Sequence, residues 1–449
     1  MNYIDFKEIV INKAQESGLA DYELYYTESE DISVEALMHE LSSFSTTDNR
    51  GACFRCIFNG KMGYASTELF TKQEAERLVT DAMKNAEVIE SEDKVFIHGG
   101  AGEYEKIEET DTTIPSAKEL VNTVLELEKD FFKRDSRVVE GSQAAAGYGK
   151  VKVALCNSKG LDLTHSYNYS QLAAIVSINE GDEVYNGYKV ITGDFKNFDK
   201  EALAQETVNK VVKTIGADSV ESGTYDLIFS SEMMATMLST FFSAFSADAA
   251  RRGLSLLKGK EGEKVAAEIV TIVDDPFYKE SFIKMPFDGE GVATYRKNVI
   301  KNGKLSTLLH NLTTAHEAGV VSTGNGRKLN YASGVNVLPY NFLLMPADAG
   351  SKEEIFQTVG KAIYITALNG LHAGANPTTG DFSLSAEGFL IEEGVEKRPV
   401  KSFTVSGNFY ELLQKITMLG NDLKLNNPEG GVCFGAPTTV VKEISVAGK

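Results

Sequence analysis

Residues 51–86 read GACFRCIFNGKMGYASTELFTKQEAERLVTDAMKNA, and two structural periods meet within them. Gly51 to Phe58 is an apolar run that ends in Asn59-Gly60, the dipeptide whose left-handed preference closes a two-residue hairpin. Met62 to Ala65 then returns as the partner strand. From Thr71 to Ala86 the spacing changes, and Ala75, Leu78, Val79, Ala82 and Ala86 recur at helical intervals. Upstream, Phe6 to Glu16 reads as a helix stopped by Gly18, with strand patterns at Tyr22 to Thr27 and Ile32 to Phe44. Helix, antiparallel sheet and helix together make an α+β unit.

Downstream, residues 88–113 are acidic and weakly patterned, which reads as a connection. Pro115-Ser116 opens a helix from Ala117 to Arg134 with Leu120, Val121, Val124, Leu125 and Leu127 on its apolar side. Strand patterns follow at Arg137 to Glu140, Val151 to Cys156 and Leu161 to Val176, and a helix from Lys200 to Lys213 closes a second unit. A third region opens with a strand at Tyr225 to Phe229. Ser230-Ser231-Glu232 then starts a helix running to about Ala250. Short strands punctuated by Gly, Asn and Pro fill the rest, with helices near Lys352 to Tyr364 and Phe409 to Leu419, the latter ended by a left-handed Gly420. The expected fold is α+β: N-terminal antiparallel sheets flanked by helices, then a large strand-rich C-terminal domain. The expected divisions are 1–110, 111–218 and 219–449.

At 449 residues, 42% hydrophobic and 24% charged, the chain has apolar material for more than one core. Its 45 basic residues against 64 acidic ones leave a net charge of −19. Such a surface repels phosphate backbones and anionic membranes, which excludes direct nucleic-acid binding as the expected role. No run of 18 apolar residues occurs, the N-terminus carries acids in its first turns, and four cysteines are too few for a disulfide framework. A cytoplasmic protein is expected.

Several residue groups invite a chemical reading. Cys53-Phe54-Arg55-Cys56 resembles a metal or redox pair, but side chains three apart in a strand point to opposite faces. His316-Glu317 lacks the second histidine of a zinc-peptidase helix, and His310 is six residues away, so both read as surface histidines. Thr323-Gly324-Asn325-Gly326-Arg327 fits no phosphate-loop pattern; its glycines suit a tight turn, and Arg327 beside Asn325 could hold a peptide carboxylate. His372, Asn376 and Asp381 lie in a segment dense in Gly, Asn and Pro, which can line a cleft or can satisfy its own turns.

Between Tyr225 and Gly448 a series of motifs occurs in order. They are Arg251-Arg252-Gly253, Val273-Asp274-Asp275, the Thr323–Arg327 segment, Gly370-Leu371-His372 through Asn376-Pro377, Gly380-Asp381-Phe382-Ser383, Gly388 to Glu392, Ser406-Gly407-Asn408, Gly420-Asn421-Asp422-Leu423 and Gly435-Ala436-Pro437-Thr438. This series resembles the TldD/PmbA family, on its TldE (PmbA) side. The resemblance implies a two-subunit peptidase acting on unfolded or modified peptides. In it the TldD-type subunit carries HExxxH and a cysteine ligand for zinc, and a TldE-type subunit helps enclose the substrate channel. The family's label of DNA gyrase modulator fits poorly with direct action on DNA at a charge of −19. Aligned from Arg251-Arg252-Gly253, the HExxxH positions fall on Leu238, Ser239 and Ser243, none of which supplies an imidazole or a carboxylate. No cofactor is then expected in this chain, and zinc is expected in a TldD-type partner; pairing as a homodimer is the other possibility. Cys433, near the family's cysteine ligand, is a weak metal candidate. The alternatives left open are an autonomous metallopeptidase using His310, His316 or His372 with Cys433 and a nearby acid, and a peptide-binding scaffold without a peptidase partner.

Overall fold

Two left-handed turns shape the first sheet. In the computed structural model, which describes residues 1–91, 93–100, 103–107, 113–428 and 430–449, Asn59 and Gly60 (φ 51° and 77°) join β2 (Glu40–Phe58) to β3 (Lys61–Thr67). Met38 and His39 (φ 56° and 66°) join β1 (Tyr22–Leu37) to β2 in the same way, so the strand expected from Ile32 to Phe44 is broken in the middle. Neither residue announces a turn. The turn is held by the buried Glu128 carboxylate, which accepts from the His39 N–H at 3.0 Å and lies 3.1 Å from His39 Nδ1.

Strands β4 (Gln143–Asn157), β5 (Asp162–Glu180) and β6 (Glu183–Gly193) complete a six-stranded sheet of order β3-β2-β1-β4-β5-β6. Its pairings are antiparallel, and β1 pairs β4 over most of its length, so the stretches 1–110 and 111–218 contribute to one continuous sheet. Strand β6 was not anticipated, and the strand expected at Arg137 to Glu140 reduces to isolated bridges at Val138 and Glu140. The connection expected at 88–113 includes 92, 101–102 and 108–112, which lie outside the described residues.

One face of this sheet is covered by α1 (Tyr3–Glu16), α2 (Lys72–Glu87), α3 (Ala117–Arg134) and α4 (Lys200–Val212). Ser116 and Glu119 form a reciprocal capping box that starts α3 where the sequence placed it. Tyr22, Leu24 and Tyr26 of β1 pack with Ala52, Phe54 and Cys56 of β2 against Phe6, Val10, Leu78 and Val79. Farther along, Ala144, Leu172 and Val176 meet Leu120, Val124, Phe131 and Leu203. Strict alternation then turns Glu23, Tyr25, Cys53, Arg55, Val153 and Leu155 toward the opposite face. The two thiols of the CxxC sequence therefore diverge, as their spacing requires.

The third region is built around α5 (Ser231–Phe241), which lies between two six-stranded sheets. One runs β16 (Val395–Asn408), β15 (Asp381–Glu392), β14 (Ala362–Asn369), β7 (Gly223–Phe229), β20 (Thr439–Ala447), β17 (Ile416–Leu419). The other runs β10 (Lys304–Leu305), β9 (Lys297–Lys301), β8 (Ile272–Asp274), β13 (Asn341–Leu344), β19 (Cys433–Ala436), β18 (Lys424–Leu425), and β11 (Gly326–Arg327) pairs β12 (Asn336–Val337) beside them. Met234, Met237, Leu238 and Phe241 of α5 share one core with Phe342, Ile363, Ile365 and Phe434. A helix apolar around most of its circumference is a buried helix.

The helix expected to reach Ala250 stops at Phe241. A 3-10 turn, Phe242–Phe245, follows, and Ser246 adopts an extended backbone and caps a new short helix, α6 (Ala247–Arg251). Helix α7 (Leu312–Ala318) ends at left-handed Gly319. Helix α8 (Lys352–Val359) ends at Gly360 (φ 72°), before β14 begins. After α9 (Leu371–Gly374), helix α10 (Phe409–Gln414) is shorter than expected because Ile416 to Leu419 pairs with β20 as β17. Gly420 follows that strand and is not left-handed, correcting its expected role as a helix stop. No helix among the described residues is long and apolar enough to cross a membrane.

Candidate functional site

The face of the first sheet turned away from its helices meets residues 285–292 and 327–332 of the third region, and a cavity of about 700 Å³ remains between them. Tyr25 and Thr27 of β1, Val151 and Val153 of β4 and Tyr167 of β5 form its floor. Phe287, Asp288, Gly289, Arg327, Lys328, Tyr331, Tyr340, Gly430 and Gly431 form the other walls. The volume falls within the ordinary range for sites that bind small molecules or a few residues of a peptide.

Beside the cavity lies a buried ionic cluster. Glu23 and Arg55 are direct cross-strand partners, with Arg55 Nε donating to Glu23 Oε1 at 2.8 Å. The same guanidinium reaches Glu290 Oε1 at 3.6 Å, and all three side chains are at most 5% exposed. Burial pulls the Arg55 guanidinium down, but Glu23 and Glu290 outweigh it and hold the group above its ordinary value. Glu290 Oε2 also accepts from Leu312 N at 2.8 Å. Its pKa is raised by burial against the pull of Arg55. Asp288 accepts from the N–H groups of Glu290, Val292 and Gly326 at 2.9, 3.0 and 2.8 Å. Burial, with Glu290 adding to it, pushes Asp288 up to about 8 despite those three donors.

Arg327 is held differently. Its Nη1 and Nη2 donate to the carbonyls of Pro339 and Gly431 at 2.6 and 2.8 Å, and its guanidinium lies 4.5 Å from the centre of the Tyr340 ring. Lys328, 8% exposed, packs its ammonium over the rings of Tyr25 and Tyr64 at 5.1 and 5.9 Å. Burial lowers its pKa, and among the described residues its Nζ has no oxygen or nitrogen partner. Burial also raises the Tyr25 and Tyr340 phenols, which keeps them protonated. Tyr331 roofs the cavity: its ring lies where a Cβ on Gly51 would sit, 2.3 Å away, and its hydroxyl bonds to Glu68. The equipment is that of a binding site, with a fixed cation, aromatic walls and neutral phenols.

The residues singled out from sequence separate in space. Arg327 lines this cavity; Asn325, His372, Asn376 and Asp381 do not. Asn325 is fully buried, donates to Asp274 Oδ2 at 2.7 Å and Leu338 O at 2.9 Å, and accepts from Lys297 Nζ and Thr323 Oγ1. That set leaves nothing of Asn325 for a substrate. Asn376 accepts from the N–H groups of Thr378 and Thr379, and Asp381 accepts from Thr379 and Asn408. These exposed side chains satisfy their own turn, and exposed His372 stands beside them in α9. His310, expected at the surface, is 4% exposed and precedes α7 rather than lying on it. Exposed His316 lies with its ring tilted against Phe96, centroids 4.8 Å apart. The ionic residues Glu23, Arg55, Asp288 and Glu290 were missed. The available signal was a charge inside an apolar strand, as with Arg55 in ACFRCIF.

Leu238, Ser239 and Ser243 were also placed by sequence. Leu238 is fully buried in the core between the two sheets. Ser239 is half-buried on the stripe of α5 that carries Glu232, Thr236 and Thr240, and Ser243 sits in the 3-10 turn beyond the helix. Asn426 donates to Glu232 O and Thr236 Oγ1 along that stripe. Cys433 Sγ lies 3.6 Å from Ser281 Oγ, and burial pushes its thiol up to about 11, away from the thiolate a metal requires. Leu238, Ser239, Ser243 and Cys433 therefore offer no donor set that fits zinc. Among the described residues no three His, Cys, Asp or Glu side chains stand close enough to hold a metal ion.

Three family descriptions match in sequence order. PmbA/TldA metallopeptidase domain 1 covers residues 22–86, the central domain 111–215 and the C-terminal domain 222–448. A metalloprotease PmbA homolog of Haemophilus influenzae is 25% identical over 416 residues, spanning 90% of this chain and 88% of the relative. A Thermotoga maritima structure named for modulation of DNA gyrase superposes with a TM-score of 0.90 at 28% identity, covering 99% of this chain and 100% of that one. TldE from Thermococcus kodakarensis superposes with a TM-score of 0.90, covering 98% and 99%; at 24% identity this shows the shared fold.

Proposed function

This chain belongs to the PmbA/TldD metallopeptidase family, and on that premise we propose that it is a non-hydrolytic, TldE/PmbA-like subunit of a cytoplasmic two-part zinc peptidase. The observation that carries the reading is the chemistry of α5. Leu238, in the core, and Ser243 stand where the imidazole pair would be needed, and Ser239 stands where the carboxylate would be. Zinc would lower the pKa of a bound water and polarise the scissile carbonyl; without donors, that step belongs to a TldD-type partner. This chain's contribution is to bind and orient an unfolded or modified peptide in the shared channel. Its charge of −19 disfavours polyanions such as DNA as substrates.

The test is co-expression with an HExxxH-bearing relative, followed by peptide hydrolysis with either subunit omitted. The reading expects turnover from the mixture and none from this chain alone, and co-purification of the two. It fails if the relative is equally active alone, or if this chain alone cleaves peptide in a chelator-sensitive manner.

A further inference from the structure

The chain has ten arginines, and among the described residues seven of them are ion-paired: Arg55, Arg77, Arg134, Arg137, Arg251, Arg252 and Arg296. In a protein with 64 acidic residues, pairing is the default. Of the other three, Arg398 donates to the carbonyls of Asp218 and Ser219 away from the cavity. Arg50 and Arg327 both line the cavity between the first sheet and the third region. We infer that this cavity is a carboxylate-recognition site for a short peptide, with Arg327 as the residue that holds the anion.

Arg327 is oriented before any ligand arrives. The carbonyls of Pro339 and Gly431 take one donor from each terminal nitrogen, and the Tyr340 ring supports the guanidinium plane. A guanidinium has five N–H donors in a fixed fork, so donors remain for a carboxylate in the same plane. The geometry suits a planar carboxylate, and the cost of ordering a long side chain is already met.

The local charges agree. Asp288, the acid in the wall nearest Arg327 in sequence, is buried and bound by three backbone N–H groups. Glu68 is engaged by the Tyr331 hydroxyl, and Glu28 is the cross-strand neighbour of Arg50. Arg50, in step with Ala52 and Phe54 on β2, turns its side chain to the helix-covered face, where it lies 5.0 Å from the Phe70 ring, and so leaves the cavity face to Arg327. Tyr25, Tyr167 and Phe287 supply apolar surface for the residues adjoining the carboxylate. The carboxylate can come from a peptide C-terminus or from an Asp or Glu side chain. Only the word "peptide" rests on the proposed function; the anion chemistry stands without it.

The test measures binding to this chain alone, so it can fail while the two-subunit reading survives, and the reverse. Fluorescein-labelled alanine-rich pentapeptides are titrated in three forms: free C-terminal acid, C-terminal amide, and amide with one internal glutamate. The free acid or the glutamate-bearing amide should bind at least about tenfold more tightly than the plain amide, the scale of one charge-assisted hydrogen bond. Whichever of the two wins identifies the source of the carboxylate. Arg327→Gln should abolish that discrimination, and Arg50→Gln, on the other face of the sheet, should leave it unchanged. A purely structural role for Arg327 would weaken all three peptides together and leave their ratios unchanged, which would overturn the assignment. So would equal binding of acid and amide to the unaltered protein, no binding of any form, or displacement of the acid peptide by equimolar inorganic phosphate.

Discussion

Replacing Arg55 with methionine would strand two buried carboxylates. Glu23 is 0% exposed, its Oε1 bonds to Arg55, and its Oε2 has no partner among the described residues. Glu290 keeps the bond from Leu312 N but loses its countercharge 3.6 Å away. Breaking a buried ion pair from one side costs about 3–5 kcal/mol, because the remaining charge stays desolvated. The loss should depend on pH in a stated direction. Burial raises Glu290, and removing Arg55 takes away the main opposing pull, so stability is retained below the unfolded value and falls as pH rises through the folded one. Urea unfolding followed by far-ultraviolet circular dichroism suits a chain with no tryptophan. The variant should lose about 3–5 kcal/mol at pH 8 and less at pH 5.5. Adding Glu23→Gln should recover about 1–3 kcal/mol, since a neutral amide replaces the stranded charge. A loss below about 1 kcal/mol at both pH values, or a Glu23→Gln change that adds to the damage, would refute the reasoning.

Asp288, pushed up to about 8 by burial and Glu290, holds a proton that the unfolded chain releases near 4. Stability from this group is complete below that unfolded value and declines at up to roughly 1.4 kcal/mol per pH unit toward 8; Asp288→Asn should flatten that slope in urea titrations. Leu238→His should cost about 2–4 kcal/mol by placing an imidazole in the core between the two sheets, without conferring stoichiometric zinc binding in metal analysis. All four cysteines are buried, and burial pushes Cys56, Cys156 and Cys433 up to about 11. Iodoacetamide at pH 7.5 should therefore label none in the native protein and four in urea, as counted by mass spectrometry. Rapid native labelling of Cys433 would return it to consideration as a ligand.

Elements governed by local rules are legible in the amino-acid sequence itself. The Asn59-Gly60 hairpin, the apolar stripe of α2 and the capping box of α3 carry their signals within a few residues. The α+β class follows from them. What escapes is set by distant partners. The Met38-His39 turn depends on Glu128, 89 positions away, and the long helix expected after Ser231 breaks where Ser246 caps a new one. Of the site, only Arg327 is legible. The cavity is assembled from β1, β4 and β5 together with segments near 288, 328, 340 and 430, and no local period links strands of one fold region to loops of another. The loop around His372 resembles a cleft by composition, yet its polar groups close on one another.

Metal content and peptide turnover measured on one purified sample of this chain bear most directly on the proposal that chemistry resides in a partner. The expected result is zinc well below one equivalent and no cleavage of unfolded peptide, with or without added zinc. One equivalent of bound zinc accompanied by chelator-sensitive turnover would contradict it.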